Sequence, residues 1–374
     1  MEIILKLVLS WLFCLPFLAM ALGESDLSPV YKLLEKGDFY TIGDFQGAKQ
    51  ITLRYAKFGK GRGKNGSLVF INGKGENVLK YVELFYDFYL QGWSPIYTYD
   101  HRYQGLSRNV LSHSVDPPVT LSPSGEIKSS DQTIPNPPAT YVENYSLYRE
   151  DMEAFIRVVL NDAEVDRSRL FLIAHSMGGA IALDYLQTHS EKSPFKFVVL
   201  SAPMIKVKSN LFPFLEKTSL AVLTGYCSYL PCTWRVPSLR NRFTRKALTN
   251  SLSRYAFSEY VEEKWFPQIA SRGISFRWVV ESFKLTDQLM KKKRIHQIAT
   301  PFLILQSEKD RLVSNEHHHS FCDRIPDCCH ITQIAGKHEL FLEKDKPRNE
   351  AIETVISFFL NSKKYQKGCR YSKS

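Results

Sequence analysis

The feature that most constrains this chain is an apolar strand that runs directly into a tight, serine-bearing turn and then into a helix-forming segment. Residues 170–180 read LFLIAHSMGGA. The central residue of such a turn, here Ser176, takes a strained backbone conformation, and the following helix packs closely on the strand. The residues two before and two after it must therefore be small, and Ala174 and Gly178 meet this requirement. The pattern predicts a nucleophile elbow that exposes Ser176 at the end of a strand.

Strand and helix signals alternate on both sides of this elbow. Apolar or alternating runs predict an edge strand at 50–58 and further strands at 67–72, 94–99, 170–174, 197–201, 301–306 and 330–334. Amphipathic periodicity predicts helices at 78–90, 145–160, 179–188 and 348–360. With 44% hydrophobic residues, the chain has enough apolar material to bury a sheet. We therefore predict an α/β fold with a doubly wound, mostly parallel sheet.

The alternation breaks between residues 203 and 297. Because this segment follows the strand that we place sixth in the core, we interpret it as an inserted helical cap. The core then consists of residues 24–202 and 298–374. A stretch rich in Pro, Ser, Thr and Asp at 116–139 is typical of a long surface loop rather than of a linker.

Residues 1–23 have the pattern of an export signal. Lys6 precedes an apolar run, and Ala19 and Ala21 form a small-x-small cleavage site near its end. Glu2 offsets the charge of Lys6, so an uncleaved membrane anchor is the alternative interpretation and a cytosolic protein is a third. The segment therefore predicts that the protein is secreted or is located in the periplasm or cell envelope.

The cysteine count fits export. Cleavage of the signal would remove Cys14 and leave an even number of cysteines, as is usual in an oxidising compartment: Cys227, Cys232, Cys322, Cys328, Cys329 and Cys369. Two disulfides suggest themselves from sequence distance, Cys227 with Cys232 and Cys322 with Cys328 or Cys329. Buried free thiols are the alternative. The cysteines lack zinc-site spacing with histidines, and we interpret residues 317–319, three histidines, as the solvated start of a helix. We predict no metal.

The predicted cap carries the charge of the chain. Residues 203–297 contain 17 Lys and Arg against 6 Asp and Glu, which accounts for the whole net charge of +11. The sequence has no helix-turn-helix, zinc-finger or RNA-binding signature, so we predict no nucleic-acid partner. Peripheral attraction of the basic cap to an anionic lipid surface is the favoured interpretation, and a solvated basic face is the alternative. No obligate protein partner is evident.

Ser176 needs two partners before it can act as a nucleophile: a histidine that takes its proton and a carboxylate that orients the histidine. In folds with this elbow they follow in the order Ser, acid, His. Asp310 ends a hydrophobic strand, and His338 follows a Gly turn after the next strand. Glu308 falls two residues too early, and Asp327 lies in a cysteine-bearing loop. We predict Ser176, Asp310 and His338 as a catalytic triad.

Such a site also needs N–H donors for a developing oxyanion. The backbone N–H of Met177, the residue after the nucleophile, is one candidate. The second should come from the loop after the third strand, where Gly73 allows the chain to turn inward, so we select the backbone N–H of Lys74. Asn72 stands where a histidine often supports this loop. A plain Gly-rich turn is the alternative interpretation.

Four motifs together resemble the bacterial lysophospholipase and monoacylglycerol-lipase branch of the α/β-hydrolases. They are NGKGEN from residue 72, KYVELFYD from 80, DHRYQGLS from 100 and AHSMGG from 174. The resemblance covers most of residues 45–202 and 298–360, and DHRYQGLS is closer to the bacterial lysophospholipases than to the acylglycerol lipases. Tyr103 stands where the family usually has Gly. We interpret Asp100 and Arg102 as a buried structural pair beside the oxyanion loop, not as catalytic residues.

The resemblance implies the α/β-hydrolase fold, with the helical cap inserted after the sixth core strand, and an enzyme without a cofactor. The implied reaction is hydrolysis of the acyl ester of a single-chain lipid through an acyl-enzyme on Ser176. Lysophospholipase is the first hypothesis, and monoacylglycerol lipase or general carboxylesterase is the second. A non-catalytic lipid-binding envelope protein is a remote third. Apolar runs at 211–215 and 226–230 either line an acyl tunnel or form the cap's own core.

Overall fold

The computed structural model describes residues 23–107, 140–189, 192–208, 245–265 and 273–361, with short pieces at 120–121, 127–128 and 225–227 and the single residue 236. The predicted export signal lies outside these residues except for its last position. Within the described part of the chain, no helix has both the length and the apolar character needed to span a bilayer.

Eight strands form one sheet. They are β1 (Tyr40–Gln46), β2 (Thr52–Phe58), β3 (Gly66–Ile71), β4 (Trp93–Tyr99), β5 (Leu170–His175), β6 (Phe197–Ser201), β7 (Phe302–Ser307) and β8 (Cys329–Ile334). Their order is β1-β2-β4-β3-β5-β6-β7-β8. The strands from β4 to β8 in this order are parallel, whereas β2 pairs antiparallel with both β1 and β4. This arrangement confirms the predicted α/β-hydrolase fold with a mostly parallel sheet.

The outer strand of the sheet is not the one that the sequence suggested. The run at 50–58 was expected at the edge, but β1 pairs with β2 along its whole length and covers it. The prediction was wrong because β1 contains Gly43 and Asp44, residue types that strands disfavour, so its sequence lacks a strand signal. Backbone pairing with β2, a tertiary contact, determines its conformation.

Helices cover both faces of the sheet. They are α1 (Ser28–Lys36), α2 (Val82–Leu90), α3 (Ser146–Asn161), α4 (Met177–His189), α5 (Arg245–Leu248), α6 (Leu252–Trp265), α7 (Phe276–Leu289), α8 (Lys292–Ile295), α9 (Asn315–Cys322) and α10 (Asp345–Leu360). Two large hydrophobic clusters result, one that includes α3, α4 and α7 and one that includes α1, α2 and α10. Along β5, Leu172 faces the first cluster and Ile173 the second, which explains its uninterrupted apolar sequence.

In the described parts of the segment between β6 and β7, the helices α5 to α8 alternate with short irregular stretches. Its last part packs on the core, because Trp278, Leu285 and Ile295 lie in the same cluster as Val198 of β6. The division into core and cap at residues 203 and 297 stays a prediction. The apolar run at 211–215 and most of the run at 226–230 lie outside the described residues.

One predicted cysteine pairing is present. Cys322, at the end of α9, forms a disulfide with Cys329, the first residue of β8, with Cα atoms 5.1 Å apart. Of the two partners left open for Cys322, the structure selects Cys329. The pairing of Cys227 with Cys232 stays a prediction, because Cys232 lies outside the described residues. In the predicted surface loop at 116–139, the structure describes only a short antiparallel pairing of Thr120–Leu121 with Ile127–Lys128.

The histidine cluster of α9 is only partly solvated. His318 is fully buried, and its Nε2 donates a hydrogen bond to the carbonyl of Pro203 at 2.9 Å. Burial lowers the pKa of His318 to about 4, so it is neutral at physiological pH. The expectation of a solvated helix start was therefore wrong for this residue, because α9 turns it toward the segment that follows β6.

Candidate active site

Ser176 occupies the elbow between β5 and α4. Its φ is 51°, a left-handed conformation that is strained for a residue with a side chain. Its backbone N–H donates to the carbonyl of Ser201 on β6 at 3.0 Å. A Cβ at Gly178 would lie 2.4 Å from the carbonyl oxygen of Ile71 and 2.5 Å from that of Asn72. The start of α4 therefore sits directly on the end of β3, and only glycine fits at position 178.

The structure brings the three predicted triad residues into one hydrogen-bonded series. The hydroxyl of Ser176 donates to Nε2 of His338 at 2.8 Å, and Nδ1 of His338 donates to Oδ2 of Asp310 at 2.7 Å. The other carboxylate oxygen of Asp310 accepts the backbone N–H groups of Leu312 and Val313 at 2.7 and 3.0 Å. Both Asp310 and His338 are buried. The hydroxyl, both ring nitrogens and both carboxylate oxygens of the series therefore each have a defined hydrogen-bond partner.

The electrostatics of this series favour proton transfer to the histidine. Burial alone would lower the pKa of His338, but the charge and hydrogen bond of Asp310 outweigh burial and raise that pKa above its usual value. Conversely, burial would raise the pKa of Asp310, but His338 and the backbone donors hold that pKa below its usual value. The arrangement can therefore take a proton from the Ser176 hydroxyl and stabilise the imidazolium that forms.

The competing carboxylates do not reach this series. Glu308 and Asp327 are both exposed, whereas Asp310 is buried. The strand end of β7 directs Asp310 inward, because the chain turns there and the Asp310 carboxylate accepts its own loop amides.

The loop after β3 is fixed by side chains on both sides of Lys74. The N–H of Gly73 donates to Oε2 of Glu76, and the N–H of Gly75 donates to Oε1 of Gln104. Lys74 lies between these two amides and lines the same cavity as Ser176. Met177, the other predicted oxyanion donor, is the first residue of α4 and is fully buried.

Asn72 holds the start of this loop against the end of β4. Its side-chain amide donates to the carbonyl of Tyr99 at the end of β4, at 3.1 Å. Its own carbonyl accepts a hydrogen bond from Nε2 of His101 at 2.8 Å. Asn72 and His101 together join the ends of β3 and β4.

A buried ionic group lies beside the hydrogen-bonded series of Ser176, His338 and Asp310, and it was not predicted from the sequence. The ammonium of Lys80 lies 2.9 Å from Glu76 and 2.6 Å from Glu339, and the hydroxyl of Tyr81 donates to Glu76 at 2.7 Å. Burial alone would raise the pKa of Glu76, but Lys80 holds it well below its usual value. The i, i+4 spacing of Glu76 and Lys80 was the available signal.

Glu76 and Glu339 also meet His175 in a cluster of residue types that can ligate metals, with one ligand atom of each within 4.8 Å of the others. Lys80 contacts both carboxylates directly and offsets one of their two negative charges. We therefore infer that the cation bound by these carboxylates is the ammonium of Lys80 and not a metal ion.

The predicted pair of Asp100 with Arg102 was wrong. Arg102 makes a bidentate bond to Asp151 on α3, at 2.7 and 2.6 Å, and both side chains are buried. Asp100 instead accepts the backbone N–H of Leu106 at 2.7 Å, and burial raises its pKa to about 8. Asp100 and Arg102 lie two positions apart beyond the end of β4 and bind different partners, Asp100 a backbone N–H of its own loop and Arg102 a carboxylate of α3 outside the motif.

Ser176 and His338 open onto a cavity of about 220 Å³. Besides the two residues and the loop at Lys74, it is bounded by one face of α6 with Tyr255, Ser258, Glu259 and Glu262. Four glutamates and two lysines line it, so acidic side chains outnumber basic ones by two. The basic excess of residues 203–297 therefore does not extend to the lining of this cavity.

Comparisons with known proteins agree with this geometry. The family model described as "Serine aminopeptidase, S33" matches residues 63–345. The chain is 27% identical over 338 residues to lysophospholipase L2 of Escherichia coli strain K12, covering 84% of this chain and 86% of that protein. It is 28% identical over 302 residues to the probable lysophospholipase L2 of Haemophilus influenzae strain Rd, covering 79% and 83%.

Among solved structures, the fold is similar to that of a soluble variant of monoglyceride lipase from Saccharomyces cerevisiae in complex with a substrate analog. The TM-score is 0.63 at 18% identity, over 85% of this chain and 94% of the lipase.

Proposed function

The chain belongs to the serine aminopeptidase S33 family, and on that premise we propose that it is a lysophospholipase, an ester hydrolase that removes the acyl chain of a single-chain phospholipid. The observation that carries the proposal is the continuous hydrogen-bonded series from Ser176 through His338 to Asp310 at the edge of a cavity. The two lysophospholipase L2 relatives, similar over most of this chain, support the substrate class.

In the proposed reaction, Nε2 of His338 accepts the hydroxyl proton of Ser176 while Oγ attacks the ester carbonyl. The tetrahedral intermediate collapses to an acyl-enzyme on Ser176, and His338 returns the proton to the leaving glycerol oxygen. Water, activated by the same imidazole, then releases the fatty acid and restores Ser176. Asp310 holds the imidazole and stabilises its charge throughout.

The backbone N–H groups of Met177 and Lys74 serve as the oxyanion donors in this proposal. Support comes from the loop geometry, because the amides on either side of Lys74 already donate to Glu76 and Gln104. Each oxyanion donor in an acyl-transfer site contributes about 2.7–4 kcal/mol of transition-state stabilisation.

Monoacylglycerol lipase activity is the second candidate, because the fold is similar to that of a monoglyceride lipase bound to a substrate analog. A non-catalytic lipid-binding role is disfavoured, since it would not need an aligned Ser, His and Asp. For location, we propose export through residues 1–23, with attraction of exposed basic residues to anionic lipid as the means of membrane contact.

The test compares purified parent protein with Ser176→Ala on lysophosphatidylcholine, monoacylglycerol, p-nitrophenyl butyrate and leucine p-nitroanilide. We expect hydrolysis of the lysophospholipid to exceed that of the monoacylglycerol and of the peptide analogue. Ser176→Ala should lose at least about a thousandfold in kcat. A fluorophosphonate probe should label the parent protein alone, and labelling of Ser176→Ala would place the nucleophile elsewhere. Greater activity on the monoacylglycerol would select the second candidate.

A further inference from the structure

One face of α6 is turned toward Ser176. Tyr255, Ser258, Glu259 and Glu262, spaced at i, i+3, i+4 and i+7, all line the cavity, and Glu259 is also exposed; Glu263 on the same helix is exposed but lies outside the lining. Two of the four positions are carboxylates, so the helix presents acidic groups to whatever binds above the serine.

The position of α6 is fixed by a buried arginine at its start. Arg254 contacts Glu83 of α2 at 2.9 to 3.0 Å, Asp345 of α10 at 2.8 Å and the carbonyl of Glu343 at 2.7 Å. These bonds join α6 to three other parts of the core. The carboxylates of its inner face therefore have a defined place relative to Ser176.

Opposite this acidic face lies a cation, Lys74. Burial lowers the pKa of its ammonium to about 8, and the charge of Glu262 opposes that shift. Lys74 is thus mostly protonated at neutral pH and lies close enough to Glu262 to interact with it. Besides Lys80 and the two glutamates that it contacts, one cation and two carboxylates line the same cavity, an arrangement complementary to a zwitterion.

A second observation in this cavity points to a ligand with hydrogen-bond donors. The imidazole of His175 is 1% exposed and lines the cavity. Its Nδ1 donates to the carbonyl of Ser201 at 3.2 Å, so Nε2 is an acceptor, and burial lowers the pKa to about 4.

Within the described residues, this Nε2 has no hydrogen-bond partner. The carboxylate of Glu76, 3.6 Å away, is itself an acceptor and cannot supply a proton. A buried acceptor without a donor is costly, so a ligand that brings a donor is favoured there. The free hydroxyl of a single-chain glycerolipid is such a donor.

We propose that Lys74 and the inner face of α6 form a head-group subsite that selects zwitterionic phospho-alkylammonium lipids, with Lys74 on the phosphate and Glu259 and Glu262 on the ammonium. The inference rests on the proposed function and specifies its substrate class. Lipids with anionic head groups lack the cation that the two carboxylates need, and the excess of acidic groups in the cavity repels them.

The experiment measures kcat/KM for lysophosphatidylcholine, lysophosphatidylglycerol and monoacylglycerol of the same acyl chain, each in neutral detergent micelles. The variants of the full chain are Glu259→Gln with Glu262→Gln together, and Lys74→Met. The control is Glu263→Gln, which removes one negative charge from the outer side of α6, and it is compared with Glu259→Gln and Glu262→Gln made singly as well as together.

The double glutamine variant should lower the preference for lysophosphatidylcholine over lysophosphatidylglycerol by about tenfold, since the two carboxylate charges that attract the trimethylammonium group are being removed. Lys74→Met should lower the preference for both phospholipids over monoacylglycerol. Glu263→Gln should leave all three ratios within about twofold. Unchanged ratios in the double variant, or equal changes in Glu263→Gln, would overturn the subsite.

A measurement on the parent protein gives an independent readout if a variant does not fold. Glycerophosphocholine should inhibit hydrolysis of p-nitrophenyl butyrate competitively, and glycerol 3-phosphate should inhibit at least about tenfold less. Equal inhibition by both would refute the role of the carboxylates. Failure of the proposed function is distinguishable, because the parent protein would then hydrolyse no lysophospholipid at all.

Discussion

Gln104 accepts the backbone N–H of Gly75 through its side-chain oxygen and so ties the DHRYQGLS motif to the loop beside Ser176. Gln104 is fully buried. Together with the bond from Gly73 to Glu76, this contact fixes the backbone on both sides of Lys74. Gln104 is thus a positioning residue for the proposed oxyanion donor, although it touches no reacting atom.

Replacing Gln104 with Met should therefore lower kcat by about tenfold to a hundredfold, because the Lys74 amide loses part of its orientation toward the oxyanion. KM should change little. Steady-state kinetics with p-nitrophenyl butyrate measure both. Gln104→Glu keeps an acceptor oxygen for Gly75 and should recover part of the rate. Equal losses in the two variants, or a loss confined to KM, would indicate a merely structural role.

Variants of two nearby carboxylates, Asp310 and Glu308, test which of them orients His338. Asp310→Asn should lower kcat by about ten-thousandfold, because an amide cannot hold His338 in the tautomer that accepts the Ser176 proton. Glu308→Gln should change kcat by less than about twofold, since Glu308 is exposed. The reverse ranking would show that the other carboxylate orients the histidine.

The pH dependence of the rate follows from the raised pKa of His338. The histidine must be neutral to accept a proton, so kcat/KM should fall as the pH drops through that pKa, which lies above the usual 6.5. In Asp310→Asn the carboxylate that raises the pKa is absent and burial remains, so the acidic limb should move to lower pH. Rates of fluorophosphonate labelling at different pH values measure the acidic limb of the parent protein and that of Asp310→Asn, even though the variant turns over slowly. A limb that stays in place would contradict the coupling.

Local patterns predicted those parts of the site whose geometry a short segment determines. The elbow is one, because the small residues around Ser176 are required by contacts within the strand, turn and helix and with the adjoining strand. Asp310 and His338 are others, since each follows the end of a strand of the parallel part of the sheet, and parallel strands bring their carboxyl ends to one edge.

The partner of a side chain could not be predicted where it comes from a distant element. Arg102 was assigned to Asp100 in its own motif, but its partner Asp151 lies on α3, and the sequence does not show which face of that helix meets the motif. The same holds for β1, which depends on pairing with β2 rather than on its own residues. The acidic inner face of α6 was hidden by the basic composition of the surrounding segment.

The pair of Arg102 and Asp151 should contribute strongly to stability. Their side chains are 2% and 0% exposed, so Asp151→Asn leaves a buried, uncompensated guanidinium. We expect a loss of about 3–5 kcal/mol in the free energy of unfolding. Lys49→Gln, which breaks an ion pair whose side chains are 58% and 46% exposed, should cost less than about 1 kcal/mol. Urea titrations followed by fluorescence compare the two, and similar midpoints would contradict this account.

The last prediction concerns the basic run at residues 291–294 and its proposed attraction to anionic lipid. Lys291, Lys292 and Lys293 are exposed, whereas Arg294 is bonded to Asp184 of α4 at 2.6 Å. Only the three lysines are available to a membrane. Replacing them with Gln should weaken binding to anionic vesicles by about 1 kcal/mol per residue near the surface. Hydrolysis of lysophospholipid presented in those vesicles should slow accordingly.

A matched variant separates this patch from net charge alone. Lys32, Lys36 and Lys60 are exposed lysines in another part of the chain, and changing them to Gln removes the same charge. Sedimentation with vesicles at low and high salt should show a large loss for the first variant and a small one for the second, with the difference vanishing at high salt because the charges are screened. Turnover of p-nitrophenyl butyrate should be unaffected in both, since the serine and its partners are buried in the core. Equal sedimentation of both variants at low salt would mean that residues 291–293 are a solvated face.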